Sequence, residues 1–180
     1  MDFYNEIKNK LIKSEIYDRV KDYSKDRNKV QTYYEIGKLL NEADKEYGKS
    51  IIQQYSEKLI KEVGKKYNER TLRRMRQFYE LFSTIKWSTM WTKLCWSHYR
   101  EVLKLKDINE IIYYLDECES KNLTQRQLHE LIKSNSYKRL SNTTKSKMIK
   151  KEKMNIGDLV PNPIILKSNN NKNEFSEFAL

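Results

Sequence analysis

Backbone freedom is scarce in this chain: of 180 residues only four are glycine and two proline, and both prolines, Pro161 and Pro163, lie near the end. A β-sandwich or barrel needs many tight turns, and tight turns draw on these two residue types. The composition therefore points to long helices joined by short connections, a mainly α fold. Thirteen Tyr, three Trp and five Phe supply large side chains for a core, although 34% of the residues are charged. A chain of this length holds one ordinary core. The expected organisation is a compact helical domain over 1–140, followed by a basic linker and low-complexity, partly disordered tail over 141–180.

No run of about 18 apolar residues is present to cross a membrane, and Asp2 and Glu6 do not suit a basic secretion leader. Cys95 and Cys118 form no CxxC pair. A soluble, cytoplasmic protein with reduced thiols and no membrane partner is expected.

Phe3, Ile7, Leu11 or Ile12, Ile16 and Val20 recur at near-helical spacing, so a first amphipathic helix is expected over 3–23. A polar stretch, Ser24 to Asn28, should break it before a second helix carrying Val30, Tyr33, Tyr34, Ile36, Leu39 and Leu40, which stops near Tyr47-Gly48. Ser50 is placed to cap a third helix bearing Ile51, Ile52, Tyr55, Leu59, Ile60 and Val63, with Gly64 expected in the left-handed conformation beyond its end.

The most informative segment follows. Asn68 can cap a helix Glu69 to Phe82, with the acid Glu69 in the first turn where the helix dipole favours it. At 100° per residue, Leu72, Met75, Phe78, Tyr79 and Phe82 gather on one side and Arg70, Arg73, Arg74 and Gln77 on the other. A helix, a tight turn beside a glycine and a second helix presenting arginines outward is the arrangement of a helix-turn-helix unit, here over 50–82. Guanidinium forks bond guanine edges or clamp phosphates, and Gln pairs with adenine. Glu69 and Glu80 cannot neutralise four arginines, although arginine-rich helix faces are often no more than solvated surface.

Between Ile85 and Cys95 the chain carries Trp87 and Trp91, with Trp96 just beyond; such residues can stack on bases but more often fill cores. Ser97 is placed to cap a helix with Tyr99, Val102, Leu103 and Leu105, and another follows with Ile108, Ile111, Ile112, Leu115 and Cys118. Thr124 and Gln127 fit a capping box opening a last helix that runs toward Tyr137 and Leu140 and exposes Arg126, His129 and Lys133, a second candidate contact surface. Ser141 to Lys153 reads as a basic linker or frayed helix. Gly157-Asp158, Pro161 to Pro163 and Ile164 to Leu166 suggest a turn and one strand, and 168–173 is low in complexity.

Net charge is +11, held in two blocks: residues 61–106 have twelve basic and four acidic groups, and 121–153 have ten and two. Residues 107–120 between them hold five acids and no Lys or Arg. Basic blocks attract polyanions, above all phosphate backbones, because each neutralised phosphate releases condensed counterions. The bland alternative is a solvated surface. Catalytic chemistry is not legible: two histidines, His98 and His129, and two cysteines show no zinc spacing, and no phosphate loop, GxSxG elbow, HExxH or two-metal carboxylate grouping is present. His98 reads as a structural hydrogen-bonding group. The expectation is a protein with no catalytic site, no metal and no cofactor.

Tyr34-Glu35-Ile36-Gly37, Tyr47-Gly48, Asn68 with Leu72-Arg73-Arg74-Met75-Arg76-Gln77-Phe78-Tyr79, Trp96-Ser97-His98-Tyr99-Arg100 and Leu123 to Leu131 together resemble the N-terminal domain of YhcG-like proteins, over roughly 30–140. That resemblance implies a helical DNA-binding domain, joined in the family to a PD-(D/E)XK-type nuclease and associated with restriction or mobile elements. Pro163-Ile164-Ile165-Leu166 resembles the lead-in to that nuclease, which is expected to be absent, so its activity does not transfer. The chain is then a front half or a free-standing relative.

The resulting expectation is non-catalytic DNA binding through Lys65, Lys66, Arg70, Arg73, Arg74, Arg76 and Gln77, with Arg126 and Lys133 on the later helix, and with nonspecific grip from Lys147, Lys150, Lys151 and Lys153. The alternative is a protein-interaction module, such as a mobile-element or phage-type inhibitor of a host nucleic-acid machine, whose basic faces meet an acidic protein and whose tail inserts Phe175, Phe178 and Leu180 into a groove. An inactive nuclease fragment is the third reading.

Overall fold

The computed structural model describes residues 2–19, 25–48, 50–85 and 93–150. Among them the chain forms nine α-helices and no strand: α1 (Phe3–Arg19), α2 (Lys25–Tyr47), α3 (Ile51–Glu62), α4 (Glu69–Phe82), α5 (Trp96–Val102), α6 (Ile108–Ser120), α7 (Gln125–Lys133), α8 (Ser136–Arg139) and α9 (Asn142–Lys150). A single 3-10 turn, Lys65–Tyr67, lies between α3 and α4. The chain divides into two compact units, 1–137 and 138–180. The mainly α architecture read from the scarcity of glycine and proline is the one observed.

The core of the first unit is built from the apolar stripes of the first four helices. Phe3, Ile7 and Leu11 of α1 meet Tyr33, Ile36, Leu39, Leu40 and Ala43 of α2, Ile52, Tyr55 and Leu59 of α3, and Leu72 and Met75 of α4. Each stripe recurs at three- and four-residue steps, which places it on one side of its helix. Helices α2 and α4 pack most closely, and Gly37 is the reason. A Cβ built at Gly37 would lie 2.1 Å from the Met75 carbonyl oxygen and 2.9 Å from Tyr79 Cβ, so only a hydrogen at that position lets the two backbones meet. Around this crossing Tyr34 packs on Phe78 and Tyr79, with ring centroids 5.8 and 5.2 Å apart. Trp96 wedges between Tyr33 and Phe78 at 5.0 and 5.4 Å, and Tyr99 meets Phe78 and Phe82 at 5.0 and 5.8 Å, which seats α5 on the far end of α4.

Several helix ends differ from expectation. The break expected at Ser24 to Asn28 is not seen over 25–28, which form the first turn of α2; the charged Lys25, Asp26 and Arg27 face solvent, and Lys29 in the second turn bonds Asp18 of α1 at 2.6 Å. Residues 20–24, including Val20, lie outside the described residues. Ser50 does not cap α3: its backbone is already helical (φ −74°, ψ −14°), its side chain makes no capping bond, and Ile51 N donates to Gly48 O at 3.1 Å instead. Gly64 has the positive φ that favours glycine (φ 156°), but with ψ 154° it is extended and not in the compact left-handed helical form, and its carbonyl accepts from Tyr67 N at 3.1 Å to start the 3-10 turn. Ser97 lies inside α5, whose cap is Cys95, because Cys95 N donates to His98 Nδ1 at 3.2 Å and closes a capping box.

The last helix of the sequence reading is split in two. Thr124 and Gln127 make both bonds of the capping box, Thr124 N donating to Gln127 Oε1 at 2.8 Å and Gln127 N to Thr124 Oγ1 at 3.4 Å. The helix then ends at Lys133, where Asn135 turns left-handed (φ 54°), a conformation that Asn tolerates better than most residues, before α8 begins. Residues 142–150 of the expected linker are helical as α9. Trp87, Trp91 and the turn, strand, low-complexity and apolar-end expectations beyond 150 lie outside the described residues.

Candidate nucleic-acid interface

Helix α4 starts at Asn68, whose Oδ1 accepts from Thr71 N at 3.0 Å, and holds its inner face by burying Leu72, Met75, Phe78 and Phe82. Anchored at one end and along one side, its outer face is rigid. That face forms an open groove lined by Asn68, Glu69, Arg70, Arg73, Arg74 and Gln77. The turn before it is pinned by Tyr67, whose ring is fully buried and whose hydroxyl donates to the Glu15 carboxylate of α1. Burial and that bond both push the Tyr67 phenol far above its ordinary range, so it stays protonated as the donor.

The candidate cations fall into distinct electrostatic situations. Among the described residues, Arg70, Arg74 and Lys65 have no carboxylate within ion-pair distance. Arg73 stays on the groove face but pairs with Glu69 one turn earlier, at 2.6 Å. Lys66 turns to Glu15. Arg76 points away from the groove toward α2: its guanidinium bonds Asp44 at 3.0 Å and approaches Glu80 at 3.4 Å, with only 21% of its side chain exposed. Gln77 lines the groove, but its amide donates to Leu103 O at 2.8 Å and ties α4 to the end of α5.

Three features at this place had no role in the sequence reading. Tyr67 is one, marked in the sequence only as an aromatic inside a polar turn. Arg100 of α5 is the second: burial, then the charges of Arg70 and Arg100, depress the pKa of Arg74, against the opposing charge of Glu101. The third is Glu101, whose side chain is 8% exposed and accepts from Lys104 at 2.5 Å, Gln125 at 2.9 Å and His129 at 3.2 Å. Burial alone would raise the Glu101 carboxyl, but these three bonds outweigh it and hold it at about 2. Glu101 thereby links α5 to α7.

On α7, Arg126 and Lys133 are both exposed and seven residues apart, which puts them on one face of that helix. His129 is exposed, as expected, and also bonds the Glu101 carboxylate at 3.2 Å. The Cys95 thiol lies 3.3 Å from His98 Nδ1; hydrogen bonding to His98 lowers it to about 7 against the opposing effect of burial, while burial raises Cys118 to about 11. Among the described residues, no cluster of three or more His, Cys, Asp or Glu is close enough to hold a metal ion, and no helix is long and apolar enough to cross a membrane.

Comparison with family models matches the DUF1016 N-terminal domain over residues 9–139. The chain belongs to the DUF1016 N-terminal domain family. This is the N-terminal region of YhcG-like proteins that the residue motifs resemble. In this DUF1016 N-terminal domain the matched span takes in α4 and its groove, Arg100, Glu101 and all of α7. Comparison with curated proteins and with solved structures finds no match.

Proposed function

We propose that this chain binds duplex DNA without cutting it, using α3, the turn at 64–68 and α4 as a helix-turn-helix unit whose groove face lies against the nucleic acid. The observation that carries the reading is the division of α4: one side buries Leu72, Met75, Phe78 and Phe82, and the other offers Arg70 and Arg74 with no acidic partner among the described residues. Guanidiniums outside ion pairs, carried on a helix anchored along its other side, suit phosphates and guanine edges. Lys65 and Arg73 extend the contact, since the exposed Arg73 pair with Glu69 is weak and exchangeable. Arg76 and Lys66 serve the fold instead, through Asp44 and Glu15. Arg126 and Lys133 form a secondary contact on α7, and the protein acts in the cytoplasm.

The test is a salt titration of binding to a labelled duplex. Saturable binding at about 50 mM salt that falls steeply with rising salt supports the reading. Its absence at that salt removes it and favours a module that meets an acidic protein. The exposed Ile12, Ile16 and Tyr17 of α1, on the side of that helix away from its buried Ile7 and Leu11, support that second reading.

A further inference from the structure

We infer that Glu69 and Arg73 of α4 act as one unit that reads a C·G base pair, the carboxylate accepting from the cytosine amino group and the guanidinium donating to the guanine beside it. This inference rests on the reading of α4 as a duplex-binding face and adds to it a base preference.

The pair is held side-on. Arg73 Nε donates to Glu69 Oε1 at 2.7 Å, and Arg73 Nη2 lies 2.6 Å from the same oxygen. Among the described residues, Glu69 Oε2 and Arg73 Nη1 have no partner, so the pair still offers an acceptor beside a donor. Both residues line the groove, with side chains 40% and 49% exposed. The Asn68 cap just before Glu69 and the burial of Leu72, Met75 and Phe78 fix the backbone from which the pair projects.

Position on the helix separates this pair from the neighbouring arginines. Arg73 stands about 160° round α4 from the buried Met75, near the middle of the outward face; Glu69 lies about 40° to one side of it, and Arg70 and Arg74 about 60° and 100° to the other. When a helix lies in the major groove, the middle of its outward face meets base edges and its flanks meet the phosphate walls. Arg70 and Arg74 then fall toward phosphates. The Glu69 carboxylate, which phosphates would repel, falls toward the bases, whose exocyclic amino groups are donors. In a C·G pair the cytosine N4 donor lies beside the guanine O6 acceptor, which matches the free acceptor and donor of Glu69 and Arg73; carboxylates pair with cytosine and arginines with guanine for this reason.

The experiment uses the full chain, Glu69→Ala, Glu69→Gln, Arg73→Ala and, as a control for loss of an acid from a first helical turn, Glu6→Ala on the exposed surface of α1. Each protein selects from a pool of randomised duplexes, and anisotropy of a selected duplex is followed across a salt series. Melting verifies the fold of each variant, and Glu69→Gln, which keeps the length of the side chain, serves if Glu69→Ala does not fold. The parent and Glu6→Ala should enrich a C·G pair at one fixed position. Both Glu69 variants should lose about tenfold in discrimination at that position and keep it elsewhere. Removing the carboxylate also frees Arg73 for a phosphate, so the log-log salt slope of Glu69→Ala should steepen by about one, which a role confined to stabilising the helix start would not produce. Arg73→Ala should lose the same preference and bind every duplex more weakly, because the Glu69 carboxylate is then unpaired. Enrichment by the Glu69 variants equal to the parent's at every position overturns the inference, as does a Glu69-dependent preference for A·T. A parent that binds duplexes without any preference removes the inference and leaves the DNA reading standing. A parent that binds no duplex even at low salt removes both.

Discussion

Arg74 and Arg76 stand two residues apart on α4, and the helical rotation of about 200° between them sends one to the groove and the other to Asp44 of α2. Their substitutions should fail in opposite ways. Arg76→Ala removes a half-buried pair and leaves Asp44, 20% exposed, without its cation, which should cost about 1–3 kcal/mol and lower the melting temperature while the salt slope of duplex binding stays at the parent value. Arg70→Ala is a surface change, expected to alter stability by about 0.5 kcal/mol or less yet to weaken duplex binding. Denaturant melts and anisotropy on the same preparations check both. Glu101 gives a pH prediction. Its folded-state carboxyl is depressed to about 2, so the stability it contributes is present above its ordinary value of 4.5 and is lost as pH falls toward 2. Glu101→Gln should therefore melt well below the parent at pH 7, and the gap should narrow between pH 4.5 and 2, as thermal melts across that range will show.

Helices α2 and α4 depend on a single missing side chain. Gly37→Ala would place a Cβ against the Met75 backbone carbonyl, which has no flexible end to yield, so the helices must separate. Overpacking of this kind costs about 1–3 kcal/mol, and the loss should appear as a lower melting temperature although Ala is intrinsically the better helix former. On the neighbouring turn, Phe78→Ala would empty a position that contacts Tyr34, Phe82, Trp96 and Tyr99, at a cost of about 3–5 kcal/mol, and should remove duplex binding only where it removes the fold. Circular dichroism melts set beside binding at a temperature where the variant is folded separate the two effects. Helix ends were less legible than helix faces. Asn68 and Thr124 cap as their sequence positions indicate, because each needs only a backbone N–H two or three residues away. Ser50 and Ser97 have equally suitable chemistry but sit one residue inside a turn or helix already started by Gly48 and Cys95.

At the scale of the molecule, two basic blocks flank an acidic helix, and α6 keeps them apart along the chain. If the charge serves to hold nucleic acid and not to cut it, incubation of plasmid and single strands with the protein and Mg²⁺ or Mn²⁺ should leave them intact under conditions that retard the duplex in a gel; metal-dependent nicking that follows the protein through purification would overturn the non-catalytic reading. The mainly α fold, the buried stripes of α2 and α4 and the bounds of α4 were determined by the sequence itself, because they rest on local quantities: few turn-forming residues, apolar spacing near 3.6, and a capping side chain within three residues of its partner; on α1 the same spacing included Ile16, which is exposed. Family membership was legible in the same short-range motifs. The sorting of the cations was decided by tertiary structure alone. Whether an arginine on α4 is committed or available depends on carboxylates distant in sequence, such as Asp44 for Arg76, and the charges that α5 brings toward α4 are set by the aromatic packing that seats one helix on the other. Side-chain periodicity reports which face of a helix is outward; it holds no information about what another helix places opposite that face.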